Sequence, residues 1–301
     1  MFRVGILIPV FNKLEYTKKC LSNITGNLQL SHLNERFCII LVDDGSTDGT
    51  SDWVRKNYSG VTLLEGDGNL WWSGGINMGA RYALEKLDCS HVLLWNNDIK
   101  IEDNYFMTVM DLIEHYDENT ILGSKIYADN QRTIIWSMGG WFNPHTGSFG
   151  MKNYMVRDNE KYNTPVEADW LAGMGTIVPA GVIRKIGYWD EKNFPQYHGD
   201  TEFTYRAYLN GFRNIIDPKL LIWNDISNTG LSHKGSFKKL IQLLQDKRSL
   251  YNFRINMKFH QLYAKSPFAY FRILAMYFIL FSGFFKWKFL SLLGIRKKEE
   301  N

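Results

Sequence analysis

Three short segments carry side chains able to grip a polar ligand or move a proton. They are Asp43-Asp44-Gly45-Ser46-Thr47-Asp48, Asn96-Asn97-Asp98 and Gly199-Asp200-Thr201-Glu202. Paired acids followed by Gly-Ser-Thr offer carboxylates and hydroxyls to a sugar or nucleoside, and the same pattern also reads as a capped turn. One acid after two asparagines is a partial ligand set, because hard divalent cations take several oxygen donors. Asp200 stands at the head of a helical stretch, where it can cap the helix, serve as a general base, or do both. A helix N-terminus favours the ionised form that a base requires. Two further segments are Pro9-Val10-Phe11-Asn12-Lys13 and Gly68-Asn69-Leu70-Trp71-Trp72-Ser73-Gly74-Gly75-Ile76-Asn77-Met78-Gly79. Glycines there let a ligand approach the backbone, and Trp71 or Trp72 can stack on a base or a sugar face. Helix packing explains the same small residues equally well.

These segments need strands to hold them. Val4–Pro9, Phe37–Val42, Val61–Leu64 and His91–Trp95 are apolar, β-branched runs of the kind buried parallel strands show. Amphipathic stretches at about 15–28, 48–57, 74–87 and 103–117 alternate with them. This rhythm predicts a doubly wound α/β fold, a mostly parallel central sheet with helices on both faces. Ligands of such sheets bind beyond the carboxyl ends of the strands, where Pro9–Lys13, Asp43–Asp48 and Asn96–Asp98 fall. From 120 to 230 shorter strands are expected (about 121–127, 133–138, 166–171, 175–179, 213–216 and 220–223), with a hairpin-like turn at Asn143–Gly147 and one helix over about 200–210.

Taken together, in this order and spacing, the motifs resemble the inverting nucleotide-sugar glycosyltransferases of glycosyltransferase family 2, which have a GT-A fold. The resemblance covers about 1–235. It runs through Pro9-Val10-Phe11-Asn12, Val42-Asp43-Asp44-Gly45-Ser46-Thr47-Asp48, Asn96-Asn97-Asp98, Gly173-Met174-Gly175, Gly199-Asp200-Thr201-Glu202-Phe203 with Arg206 and Gly211, and His233. It implies a donor site at Pro9, Val10, Phe11, Asn12, Asp43, Asp44, Trp71, Gly74, Asn77 and Asn97. Asp44 is expected to accept a hydrogen bond from a pyrimidine imide, with Asp43 supporting it. Asp98 matches the last acid of the family's Asp-x-Asp metal motif, and His233 the fold's C-terminal histidine, so both are expected to hold Mg²⁺ or Mn²⁺. Asn96 departs from the motif's first acid, which implies weaker metal binding. Asp200 matches the catalytic base, and Gly199 stands where the family has Glu. Acceptor contacts are expected from Gly173, Met174, Trp170, His198 and Glu202. The Trp-Trp-Ser-Gly-Gly variant is similar to that of family members transferring rhamnose or related sugars in bacterial surface polysaccharides.

The implied partners are a UDP- or dTDP-sugar and a glycan or polyprenyl-linked glycan, with no nucleic acid. A sugar nucleotidyltransferase would place a Gly-rich basic loop where Pro9–Lys13 stands. A non-catalytic sugar-binding protein has no need of Asp98 and Asp200 together. A processive synthase would carry a Gln-x-x-Arg-Trp signature.

Composition sets the outer bounds. The chain has 301 residues, 45% hydrophobic and 22% charged, as a globular protein does. Three cysteines in no metal-ligand spacing, and an N-terminal apolar run too short for a signal peptide, point to a reducing cytoplasm. Residues 231–301 hold 14 Lys and Arg against 3 Asp and Glu. Phe237, Leu240, Leu244, Tyr251, Ile255 and Phe259 mark one face of a long helix there, and 13 uncharged residues separate Arg272 from Lys286. That run is shorter than the ~20 apolar residues a membrane span needs. Residues 236–301 are therefore expected to be amphipathic helices on the inner membrane surface, the other possibilities being a packed cap or a dimer face. Within 1–235, about 1–118 reads as the nucleotide half and about 119–235 as the acceptor half.

Overall fold

The computed structural model describes residues 2–225 and 236–292, which fall into two compact units. The first comprises 1–141, 151–195 and 199–227; the second comprises 142–150, 196–198 and 228–301.

In the first unit, β1 (Val4–Val10), β2 (Phe37–Asp43), β3 (Thr62–Glu65) and β4 (His91–Leu94) pair in parallel in the order β3-β2-β1-β4. The period-2 alternation of β1 explains why it is apolar on both faces. Val4, Ile6, Ile8 and Val10 pack into a core with Cys20, Leu21 and Ile24 of α1 (Leu14–Leu30) and Phe106 and Val109 of α4 (Tyr105–His115). Leu7 faces the opposite core, with Ile76, Ala80 and Ala83 of α3 (Trp71–Glu85). α2 (Thr50–Asn57) covers β2 and β3 through Val54. The loops after β1, β2 and β4, with Asn12, Asp43 and Asp98, thus leave the sheet at its carboxyl end.

Beyond β4 the sheet turns mixed. β6 (Thr120–Ala128), β7 (Gln131–Ser137) and β12 (Thr176–Pro179) pair antiparallel in the path β7-β6-β12-β4. β13 (Arg213–Asn224) runs parallel to β6, with a register shift between Asp217 and Leu221. Short pieces complete it: β5 (Ile99–Lys100), β10 (Val156–Arg157) and β11 (Val166–Glu167). A hairpin, β8 (Gly140–Asn143) with β9 (Ser148–Met151), forms at the turn the sequence marked. Helices α5 (Ala180–Ile186) and α6 (Gly199–Leu209) follow β12. Trp189 is buried, stacked on Phe203 of α6 at 3.9 Å between centroids.

One ion pair closes this half. Lys125 on β6 is 1% exposed, and its Nζ donates to both carboxylate oxygens of Asp158 at 2.7 and 2.8 Å. Tyr127 also donates to Asp158. Asp158→Ala would strand a buried ammonium, so urea unfolding is expected to show a loss of about 3–5 kcal/mol. Lys125→Met, which removes the buried charge itself, is expected to cost much less. Equal losses from both variants would contradict this reading.

The second unit contains α7 (Phe237–Gln245), α8 (Phe253–Tyr263) and α9 (Phe268–Leu292). The single long helix expected over Phe237–Phe259 is in fact two. Asn252 makes the break: its Oδ1 accepts from Ile255 N–H at 3.0 Å, while its Nδ2 donates to the Gln245 and Asp246 carbonyls at the end of α7. Ile273, Tyr277, Leu280 and Phe284 of α9 bury one face against Leu240 and Leu243 of α7. Phe271, Leu274, Phe278, Ile279, Phe285 and Phe289 leave the rest of α9 apolar and exposed. The run expected to be too short for a span is longer than its 13 uncharged residues, because the helix continues beyond Arg272 and Lys286: over Phe268–Ser291 α9 is long and apolar enough to cross a membrane by length and composition.

Candidate active site

The loops after β1 and β2 are built as one piece. Asn12 N–H donates to Ser46 Oγ at 2.7 Å, Asn12 Oδ1 accepts from Thr47 N–H at 2.9 Å, and Asp48 accepts from Leu14 N–H at 2.8 Å. Asn12 and Lys13 take left-handed backbone, at φ 56° and 60°, to make this turn. Asp43 is buried and accepts from Ser46 N–H and Ser51 Oγ. A cavity of about 320 Å³ opens beside it, lined by Asp43, Ser46, Thr47, Ser51, Arg55 and Glu65 among others. Phe11 is 58% exposed at the end of β1.

Asp44 does something the sequence did not signal. Its Oδ1 accepts from the Gly68 and Leu70 N–H groups (2.8 and 3.2 Å), and its Oδ2 from Trp71 N–H at 2.9 Å. Three charge-assisted bonds from one main-chain turn fix the entry to α3. They hold Trp71 at φ 59°, a left-handed conformation unusual for a bulky residue. An imide reaching Asp44 would share oxygens already accepting these bonds.

Several expected donor contacts are committed to packing instead. Val10 lies in the core. Asn77 is buried, donating to the Trp189 carbonyl and to Glu191 Oε2 and accepting from Trp189 N–H, so it ties α3 to the 189–191 segment. Gly74 is buried against Leu70 and Glu191. Gly75 sits so close to Pro9 that a Cβ on it would lie 2.8 Å from the proline Cβ. The small residues of α3 are therefore seats for β1 rather than a ligand cradle. Asn97 Nδ2 donates to Thr17 Oγ1 of α1 at 3.3 Å.

At the end of β4 the three motif residues diverge. Asn96 Oδ1 accepts from the Trp72 indole Nε1 at 3.2 Å. Asp98 presents a buried Oδ1 that accepts no hydrogen bond among the described residues. Burial pushes its carboxyl up from the usual range; Lys13 pulls it down and Asp225 pushes it up. Asp225 was missed from sequence, since it lies 127 positions downstream in no motif. The register finds it: Asn224 on β13 pairs with Ile99 on β5, so Asp225 and Asp98 are the next residues beyond that pair. A buried carboxylate oxygen without a donor, with a second carboxylate within electrostatic reach, fits a divalent cation. Among the described residues no group of three or more His, Cys, Asp and Glu gathers, and His233 lies outside them.

Asp200 heads α6. Its Oδ2 accepts from Gly173 N–H at 2.7 Å and its Oδ1 from Thr201 N–H at 2.7 Å. Gly173 and Asp200 are thus brought together, with Met174 next in the chain and partly buried against the core. Two other acceptor expectations are corrected. Trp170 is 3% exposed. Glu202 is buried in an ion pair with Arg206 at 2.8 Å, which in turn donates to the Ile186 and Tyr188 carbonyls. Both serve the interior. His198, at φ 64°, belongs to the second unit, where its ring stacks on Phe259 and its Nε2 meets Asn256 Oδ1 at 2.9 Å.

Comparison with known proteins agrees with this fold. The family model described as Glycosyl transferase family 2 matches residues 5–175. Over 208 residues the chain is 26% identical to the low-salt glycan biosynthesis hexosyltransferase Agl10 of Haloferax volcanii, the match spanning 68% of this chain and 61% of that protein. Among solved structures, the mannosyltransferase PcManGT of Pyrobaculum calidifontis, in complex with GDP-Man and Mn²⁺, superposes with a TM-score of 0.58 at 13% identity, covering 92% of this chain and 69% of the other. GalNAc-T7 with UDP, GalNAc and Mn²⁺ gives 0.60 at 12% identity, covering 90% and 56%. At these identities the structural matches establish the shared fold.

Proposed function

The chain belongs to glycosyl transferase family 2, and from that premise we propose that it moves a sugar from a nucleoside-diphosphate sugar to a hydroxyl of a glycan or polyprenyl-linked glycan, with inversion, in the assembly of a surface polysaccharide. One observation carries this reading. The indole of Trp72 is bonded to Asn96, two residues before Asp98, and lies against Gly173, whose N–H holds Asp200. Trp72 thereby bridges the strand end that carries Asp98 and the glycine that holds the helix-head acid, and a single in-line displacement needs a leaving-group site and a base on either side of the sugar.

In this reading Phe11 and the cavity beside Asp43 receive the nucleoside of a UDP- or dTDP-sugar, and Asp44 shapes the turn around it. Asp98 and Asp225 would hold Mg²⁺ or Mn²⁺, and the Mn²⁺ in two fold relatives supports this. A cation there supplies Lewis-acid neutralisation of the leaving diphosphate. Two carboxylates suit an ion that fills its remaining positions with substrate phosphates and water. Asp200 takes the proton from the attacking hydroxyl. Gly173 N–H orients that carboxylate so that it meets the hydroxyl as the carbon–oxygen bond forms.

We also propose that the second unit holds the enzyme on the cytoplasmic membrane face. The support is the exposed apolar side of α9 together with the basic balance after residue 230. Each basic residue near an anionic surface contributes about 1 kcal/mol, screened over ~8 Å at physiological salt, and buried phenylalanines add a salt-independent part. Sedimentation with anionic vesicles is expected to weaken with salt without vanishing. Phe271→Ser, Phe278→Ser and Phe285→Ser together should abolish it while sparing nucleotide binding, because these side chains lie on the exposed face. Full-length protein remaining in the supernatant at low salt would contradict the assignment.

A further inference from the structure

Trp72 and two glycines are fitted to one another. A Cβ on Gly173 would lie 2.4 Å from Cζ2 and 2.6 Å from Cη2 of the Trp72 indole, and 3.0 Å from Cβ of Asp200. A Cβ on Gly199 would lie 2.1 Å from Ser73 Oγ and 3.4 Å from Cε3 of the same indole. Carbon atoms do not approach so closely, so the indole and Ser73 occupy the room that side chains at 173 and 199 would need. This accounts for the departure at 199: the glutamate that the resemblance leads one to expect there has no space beside Ser73 and the Phe194 carbonyl. Trp72 fills the place of a side chain at 173, and Ser73 that of one at 199.

We propose that Trp72 is the specificity-determining wall for the sugar being transferred, and that the site selects a pyranose presenting an apolar C–H face. This rests on the glycosyltransferase reading above. In an in-line displacement the anomeric carbon lies between the departing phosphate and the base. The leaving-group side is the Asn96–Asp98 strand end and the base is Asp200, so the ring between them is the donor's sugar. Trp72 touches Asn96 at one side and Gly173 at the other. Its Nε1 is fixed by Asn96, its far edge is seated on Gly173, and the residue is only partly buried. A held indole face offers dispersion and C–H contact to a sugar ring without ordering a flexible side chain. Trp71, the other candidate from sequence, is instead the residue whose N–H the Asp44 carboxylate binds at the turn.

The test compares affinity for a nucleoside-diphosphate sugar with affinity for the matching nucleoside diphosphate, by calorimetry, in wild type, Trp72→Ala and Trp72→Phe. The sugar nucleotide used is the one wild type hydrolyses fastest from a panel of UDP-, dTDP- and GDP-sugars. Trp72→Ala is expected to lose about tenfold in affinity for the sugar nucleotide and less than about twofold for the diphosphate; Trp72→Phe, which keeps an aromatic face, should recover most of the difference. A purely structural role would weaken both ligands together, and that result overturns the proposal. So does an unchanged ratio in Trp72→Ala, even where wild type turns over the sugar nucleotide and the glycosyltransferase reading stands. Wild type that binds no sugar nucleotide at all overturns both.

Discussion

Asp200→Asn is expected to lower sugar transfer by about 10²–10⁴-fold while leaving affinity for the sugar nucleotide within about twofold. The asparagine keeps the size of the side chain, and its carbonyl oxygen can still accept from Gly173 N–H, the bond that aims Asp200 at 2.7 Å. What it loses is the capacity to take a proton. The deficit should fall in kcat, because the base acts only as the acceptor hydroxyl attacks. Asp200 heads α6, so a cap role alone would appear as a loss of about 1 kcal/mol in unfolding with turnover preserved. Steady-state kinetics alongside urea unfolding separate the two roles. Near-normal turnover by folded Asp200→Asn would remove Asp200 from the chemistry.

The second large effect is expected at Asp98. Wild type should bind a nucleoside diphosphate at least about tenfold more tightly with Mn²⁺ or Mg²⁺ than with EDTA, and Asp98→Ala should erase that difference. Transfer should fall by about 10²–10³-fold, the cost typical of losing stabilisation of developing charge. Asp225→Asn should give an intermediate metal enhancement, since it removes one of two carboxylates. Metal alone should bind weakly, because Asn96 bonds an indole where the family motif has an acid. Equal diphosphate affinity with EDTA and with metal would refute the metal role of both acids.

Much of this arrangement is legible in the sequence because it obeys local rules. The strands β1, β2 and β4 are largely apolar, and the first polar residues at or beyond the end of each mark the carboxyl end of the sheet, where Asn12, Asp43 and Asn96 stand. The extent of α1 follows from its apolar spacing, and that of α6 from the acid at its head and Gly211 beyond its end. What escaped depends on pairing between distant segments. Asp225 meets Asp98 only through the β13–β5 register. The glycines of α3 suggested a ligand cradle, yet Gly75 is filled by Pro9 and Asn77 is spent on Trp189. Periodicity carried one helix through Asp246–Asn252, since that stretch holds no Gly or Pro; the cap at Asn252 divides it. The seat of the Trp72 indole on Gly173 was equally hidden, because it joins residues 101 positions apart.

The central claim is that this chain cleaves the bond between a sugar and a nucleoside diphosphate by direct displacement. The measurement that reaches it most directly is release of nucleoside diphosphate from a panel of sugar nucleotides with Mn²⁺, following the anomeric configuration of the released or transferred sugar by proton NMR. At least one sugar nucleotide should be consumed, with the first product appearing in the anomeric configuration opposite to the donor's. Consumption with retained configuration, or a full panel left intact by folded, metal-loaded protein, would contradict it.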